Sequence, residues 1–171
     1  MQRRMIVRGQ LHQVDCAVRE DGSSPAGLFL DALKAGAWGE AEADAPADEQ
    51  IGDYHWFLNA IRHWANTGEP VYQHAAKALQ DGVWEFRHDD KRLTFYDTDG
   101  TGGYTAKLPI RDYVDAEAPD SQFWQIPNFD PLIRLGHAFT KLSQKTPNKD
   151  IVTSKEVREE DLAHDREADP A

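Results

Sequence analysis

Apolar residues recur along this chain in two periods, and the switch between them divides it. Ile6, Val7, Leu11, Val14, Ala17 and Val18 alternate loosely over 5–19 and predict one N-terminal strand, closed by the turn signal Asp21-Gly22. Ser24 followed by Pro25 reads as a helix N-cap with proline at the first helical position. Leu28, Phe29 and Leu33 then form one apolar face, and Gly36 ends the helix in a left-handed conformation. Residues 37–48, rich in Ala, Glu, Asp and Pro, read as an acidic loop. Ile51, Tyr54, Leu58, Ile61 and Ala65 step by three and four residues, a single helical stripe that Phe57 and Trp64 widen and Gly68 and Pro70 stop.

Beyond 71–80, read as a short helical turn, the period changes to two. Val83 to Arg87 and Arg92 to Tyr96 alternate across a polar loop, His88-Asp89-Asp90-Lys91, which predicts a hairpin. Residues 104–130, broken by Pro109, Pro119 and Pro127, read as an insertion between strands. Leu132 to Phe139 is the last predicted strand. Pro147 opens a polar helix of about 15 residues, and 164–171 reads as a flexible tail. No internal repeat is visible.

The chain has 171 residues, 40% of them hydrophobic, including 5 Trp and 7 Phe, which excludes a fully disordered chain and predicts one domain. No apolar run approaches the ~18–20 residues of a membrane helix, so no membrane partner is expected. The opening Met-Gln-Arg-Arg-Met-Ile-Val-Arg lacks the apolar stretch of a secretory signal. Cys16 is the single cysteine and has no internal disulfide partner; a reducing, cytoplasmic setting fits.

The net charge of −11 is unevenly spread. Residues 40–53 hold six acids and no base, 112–130 five acids and no base, and 156–171 seven acids against two bases. Residues 131–155 hold Arg134, Lys141, Lys145, Lys149 and Lys155 against Asp150 alone. The pattern predicts a mildly basic body with acidic trimmings; if the acids of 156–171 shield the basic patch, deleting them should raise RNA affinity.

Four segments, in order, carry a resemblance to a known family. Glu20-Asp21-Gly22-Ser23-Ser24-Pro25 leads into Leu28-Phe29-Leu30-Asp31-Ala32-Leu33. Leu79-Gln80-Asp81-Gly82-Val83-Trp84-Glu85-Phe86-Arg87 looks like "L-x-D-G-L-W-E-L-R", and Arg92-Leu93-Thr94-Phe95-Tyr96 sits where the family has "Y-R-V-L-Y". His137 to Pro147 is similar to "H-x-F-x-K-K-x-Q-K-T-P". Together they resemble the RelE/ParE superfamily of small toxins, in its phage-derived HigB-like branch. The resemblance implies an α+β fold: a small, mostly antiparallel sheet packed against two N-terminal helices, with a C-terminal helix. It also implies the toxin of a toxin–antitoxin system, a ribosome-dependent endoribonuclease that cleaves messenger RNA. Its partners would be a cognate antitoxin protein, the ribosome and the messenger. The chain departs from the family in its acidity and in the 104–130 insertion.

Metal-free RNA cleavage needs a base for the 2′-hydroxyl, a cation for the phosphorane and an acid for the 5′-oxygen. No metal-ligand spacing appears, so no metal or cofactor is expected, and His55, His63 and His74 read as surface or helix-packing residues. Arg87 and Arg92 flank the hairpin loop, either gripping a phosphate or facing solvent on a twisted sheet. Lys141 and Lys145, four apart, are RNA contacts or an ordinary solvated run. His137 is a general acid or base or a core strand histidine. Tyr96 is a stacking or proton-donating residue or core packing. With the resemblance, Arg87, His137 and Tyr96 are the catalytic candidates and Arg92, Lys141 and Lys145 the RNA-binding ones. The alternative is a non-catalytic binding module on the same fold, of the gyrase-inhibitor type or an acidic phage or prophage regulator.

Overall fold

A computed structural model of the chain describes residues 2–39, 46–113, 122–141 and 146–168. The fold is α+β. In chain order the elements are β1 (Met5–Arg8), β2 (Gln13–Cys16), α1 (Pro25–Lys34), α2 (Ala47–Thr67), β3 (Ala76–Ala78), β4 (Trp84–His88), β5 (Lys91–Thr98), β6 (Ile110–Tyr113), β7 (Gln122–Gln125), β8 (Leu132–Thr140) and α3 (Asn148–Ala168). Six strands form one mixed sheet in the order β1-β2-β8-β5-β4-β3, with only β2 and β8 parallel. β6 and β7 pair with each other alone, inside the segment read as an insertion; residues 114–121 lie outside the described residues. No helix among the described residues is long and apolar enough to cross a membrane.

Local chemistry explains the helix ends. The Ser24 hydroxyl accepts from the Gly27 N–H at 3.4 Å, and Pro25 opens α1. Gly36 sits at φ +70° just past its end, and Gly68 caps α2 at φ +73°, conformations that glycine adopts without a Cβ clash. Asp48 and Glu49 lie in the first turn of α2, where acidic side chains oppose the helix dipole.

α1 and α2 cover one face of the sheet. Trp64 is the hub of that core, with ring centroids 5.0 Å from Phe95, 5.3 Å from Phe129 and 5.9 Å from Phe86. The buried face of α2 is Phe57, Ala60, Ile61, Trp64 and Ala65. The expected stripe is thus rotated: Ile51 is exposed, and Tyr54 and Leu58 are half-buried, because the two large aromatics set the face. Leu28, expected on the core side of α1, is 65% exposed, while Phe29, Leu30 and Leu33 are fully buried.

Three other expectations change. Residues 5–19 form two antiparallel strands, because the chain folds back at Gly9 and the Leu11 and His12 N–H groups both bond the Ala65 carbonyl of α2. Within 71–80 the expected short helical turn is Gln73–Ala75, and Ala76–Ala78 are an edge strand on β4. The loop of the β4–β5 hairpin is only Asp89-Asp90, with Asp89 at φ +51°, so His88 and Lys91 extend the strands, while Arg87 and Arg92 are opposed partners as the hairpin predicts.

α3 packs on the other face, through a small apolar cluster of Val157 and Leu162 against Ala17 and Tyr96 and through an extensive set of charged contacts. Its buried side chains include Asp150, Ser154, Arg158, Asp161 and Asp165. Asp161, fully buried, accepts from Arg3 Nε at 2.7 Å, Arg134 Nη1 at 2.7 Å, the Val18 N–H at 2.9 Å and the Tyr96 hydroxyl. Asp165 pairs with Arg134 at 3.0 Å and Arg3 at 3.1 Å, and Glu160 with Arg19 at 2.7 Å. The helix runs 21 residues to Ala168, so 164–168 are helical and not a tail; 169–171 lie outside the described residues. These acids dock the helix, and Asp161 and Asp165 neutralise Arg134 of the basic patch at 131–155.

Candidate functional site

The site begins with strand parity. On β4, Trp84 and Phe86 face the α1–α2 core, which puts Glu85 and Arg87 on the opposite face. Register then aligns the neighbours on that face. Lys77 of β3 opposes Glu85, Glu85 opposes Thr94 of β5, Arg87 opposes Arg92, and Arg92 opposes Phe139 of β8.

A bulge in β8 decides where His137 goes. Leu93 pairs with Ala138 and Phe95 with Leu135, so Gly136 and His137 together face Thr94 alone. The Thr94 hydroxyl accepts the His137 N–H at 2.8 Å. Strict alternation from Ile133 and Leu135 would bury His137 in the core. The extra residue turns it to the α3 face, where Nε2 lies 2.9 Å from Asp150 Oδ1 and the ring stacks on Phe139 at 5.5 Å. The side chain retains 17% exposure. A carboxylate so placed fixes the orientation of an imidazole and leaves Nδ1 as its reactive nitrogen.

Lys141 follows β8 and is anchored by its backbone N–H on the Asp90 carbonyl at 2.7 Å. It joins Lys77, Arg87 and Arg92 around Glu85, the four cations whose charges act on that carboxyl. Glu85 is completely buried, and neither carboxylate oxygen has a hydrogen-bond partner among the described residues. Arg92 Nε lies 3.8 Å and Arg87 Nε 3.9 Å from Glu85 Oε1, within ion-pair range and beyond hydrogen-bond range. Both Nε donors are buried and likewise unpartnered. Burial pushes the Glu85 carboxyl above its ordinary value, with the four cations pulling the other way. Burial also lowers the Lys141 ammonium, which Glu85 opposes and the neighbouring cations reinforce. Two cavities meet at Lys77: one of about 300 Å³ lined also by Lys141, Thr146 and Ile151, and one of about 530 Å³ lined also by Arg87, Trp84 and Pro109.

Of the residues expected at the site, Arg87, Arg92, Lys141 and His137 share this face. Lys145 lies outside the described residues. Tyr96 does not belong to the cluster. It is 3% exposed, its hydroxyl bonds Asp161, and burial together with the Asp161 charge raises it well above its ordinary value. It is neither a stacking platform nor an accessible proton donor. Arg92 is partly spent on its own hairpin, where Nη1 donates to the Asp89 and Lys91 carbonyls at 2.7 and 2.8 Å.

Glu85, Lys77 and Asp150 were not expected. Glu85 stands two residues from Arg87 in an alternating strand, so parity alone places it on the same face. Lys77 was hidden by reading 71–80 as helical, and only tertiary packing brings Asp150 to His137. His55 and His74 are exposed and His63 half-buried, as expected of surface and packing histidines. Among the described residues Asp53, His88 and Asp89 form one group with potential metal ligands, on the α2 side. The Lys91 ammonium, 2.8 Å from Asp53 Oδ2, already supplies a cation there, and His88 is stacked on Trp56.

No family model matches the chain, and no curated protein matches it.

Proposed function

We propose that the chain is a RelE-like, HigB-like toxin: an endoribonuclease that acts on messenger RNA at the ribosome and is held in check by an antitoxin protein in the cytoplasm. The observation that supports this reading is the gathering of Arg87, Arg92, Lys141 and Lys77 on one sheet face beside the His137–Asp150 pair. A phosphodiester seated against these cations has its charge matched, and the histidine stands in the adjoining row.

In this reading His137, oriented by Asp150, takes the 2′-hydroxyl proton. The 2′-oxygen forms its bond to phosphorus as the bond to the 5′-oxygen breaks, leaving a 2′,3′-cyclic phosphate and a 5′-hydroxyl. Arg87 stabilises the charge that develops on the phosphorane oxygens. Lys141, whose ammonium burial makes more acidic, protonates the departing 5′-oxygen in the role first expected of Tyr96.

The test is single-turnover cleavage of a ribosome-bound messenger, with circular dichroism on each variant. Arg87→Ala should lower the rate ~10²–10³-fold, the usual loss for one positioned transition-state donor. Lys149→Ala, exposed on the first turn of α3, should leave the rate nearly unchanged. Equal small losses would sink the role of Arg87. No cleavage by the unaltered protein would favour a non-catalytic binder on the same fold. The burial of Tyr96 and the engagement of Arg92 within its own hairpin favour that second reading.

A further inference from the structure

The least satisfied group among the described residues is also completely buried. Glu85 has two buried acceptor oxygens without a hydrogen bond, and two buried guanidinium Nε donors face it from 3.8 and 3.9 Å without making one. Leaving a buried polar group unmatched is costly, and native structures keep few such groups. Four cations from four separate elements act on the single carboxylate: Arg87 on β4 and Arg92 on β5 at ion-pair range, Lys77 opposite it in register on β3, and Lys141 beyond β8, which lines one cavity with Lys77. From β8 and α3 the adjoining titratable groups are His137 and Asp150, already bonded to each other. Asp89 and Asp90 of the hairpin loop also act on Arg92, but Glu85 is the one carboxylate on which all four cations act, and three of them line cavities: Lys77 and Arg87 one, Lys77 and Lys141 the other.

We propose that this cluster is a proton-coupled oxyanion site: a phosphate-type oxyanion binds against Lys77, Arg87, Arg92 and Lys141, and Glu85 takes up one proton from solvent as it does. The inference rests on the same site as the nuclease reading and concerns its control. The physical reason is competition. While the site is empty, Glu85 is the counter-charge that the four cations share. An entering oxyanion takes over that counter-charge and repels the carboxylate, while the burial that disfavours its ionised form remains. The carboxyl then gains a proton, and its hydroxyl becomes a donor toward the ligand. Affinity accordingly strengthens as pH falls, by up to about tenfold per pH unit in the window where one proton is taken up. Glu85 is a positioning residue, acting on the ligand through the cations.

The experiment is titration calorimetry of the full chain in two buffers of different ionisation enthalpy, which counts protons directly. Two probes are used: sulfate, and a 2′-O-methyl hexaribonucleotide that cannot be cleaved by 2′-hydroxyl attack. Neither titrates near neutrality. The expected result is uptake of about one proton in the acid-to-neutral range, lost in Glu85→Gln and retained in His137→Asn. Glu85→Gln should also flatten the pH dependence of Kd and bind more tightly than the unaltered protein at the alkaline end. Binding without proton uptake overturns the proposal and leaves the nuclease reading intact. Uptake lost in His137→Asn but kept in Glu85→Gln overturns it too, as does failure of both probes to bind. Uptake with sulfate alone upholds the site and removes nucleic acid as its ligand. Uptake with no messenger cleavage upholds the site and removes the nuclease reading.

Discussion

Replacing Asp161 by asparagine tests whether α3 is held by charge. Asp161 Oδ1 accepts from Arg3 Nε and the Val18 N–H, and Oδ2 from Arg134 Nη1 and the Tyr96 hydroxyl. An asparagine fits the same space but offers one acceptor oxygen. Its NH2 group then faces either Arg3 Nε and the Val18 N–H, or Arg134 Nη1 and the Tyr96 hydroxyl, which can turn to accept. In either orientation a charge-assisted hydrogen bond worth ~1.5–3 kcal/mol is lost, and a buried guanidinium loses its closest counter-ion. Breaking a buried ion pair from one side costs ~3–5 kcal/mol. Asp165 still pairs with both Arg134 and Arg3, which places the loss at the lower end, about 3 kcal/mol. For a chain of this size that is a fall in Tm of roughly 6–12 °C. pH supplies a second signature. Burial would raise the Asp161 carboxyl, but Arg134, the Tyr96 hydroxyl, Arg3 and the Val18 N–H together hold it below its ordinary value. Its stabilisation is therefore complete above the ordinary carboxylate pKa of about 3.9 and is lost as pH falls through the lower folded value. Urea unfolding of the unaltered protein and the variant, near neutrality and in acid, reads both effects. Glu159→Gln, on an exposed side chain of the same helix, is the control. A midpoint shift in Asp161→Asn no larger than in that control would refute the reasoning, as would a difference that does not shrink in acid.

The corrected face of α2 predicts that Phe57→Ala lowers unfolding free energy by ~3–5 kcal/mol, whereas Leu58→Ala, half-buried, costs no more than ~1.5 kcal/mol; equal losses in urea melts would return the stripe to Leu58. A Cβ on Gly9 would collide with the Ala65 backbone carbonyl that holds the β1–β2 turn, so Gly9→Ala should destabilise by ~1–3 kcal/mol. Gly52, inside α2 with open space around it, should behave oppositely, with Gly52→Ala raising stability by up to ~1 kcal/mol.

Much of the chain was legible wherever a signal is local. Ser24-Pro25 begins α1, Gly36 and Gly68 follow the helices they end, and the alternation around Trp84–Arg87 and Arg92–Tyr96 marks the hairpin, because capping, left-handed glycine and strand parity depend on neighbours a few residues apart. The opposition of Arg87 and Arg92 followed from the same local rule. Tertiary structure decided the rest. Helical spacing shows that a stripe exists, but its rotation depends on which side chains the sheet accommodates, and Phe57 and Trp64 outweigh Ile51 and Leu58. Tyr96 and Arg134 carry ordinary strand signals, and only the arrival of Asp161 from 27 residues beyond Arg134 makes them part of a buried ionic joint. Pro147 marked the start of the polar C-terminal helix, but its docking and its last turn over 164–168 depend on acids that meet Arg3, Arg19 and Arg134 only in the fold. His137 turns on a single bulge residue that no periodicity encodes. Glu85 becomes unusual only when four elements surround its carboxylate with cations, since burial and electric field are sums over the whole fold.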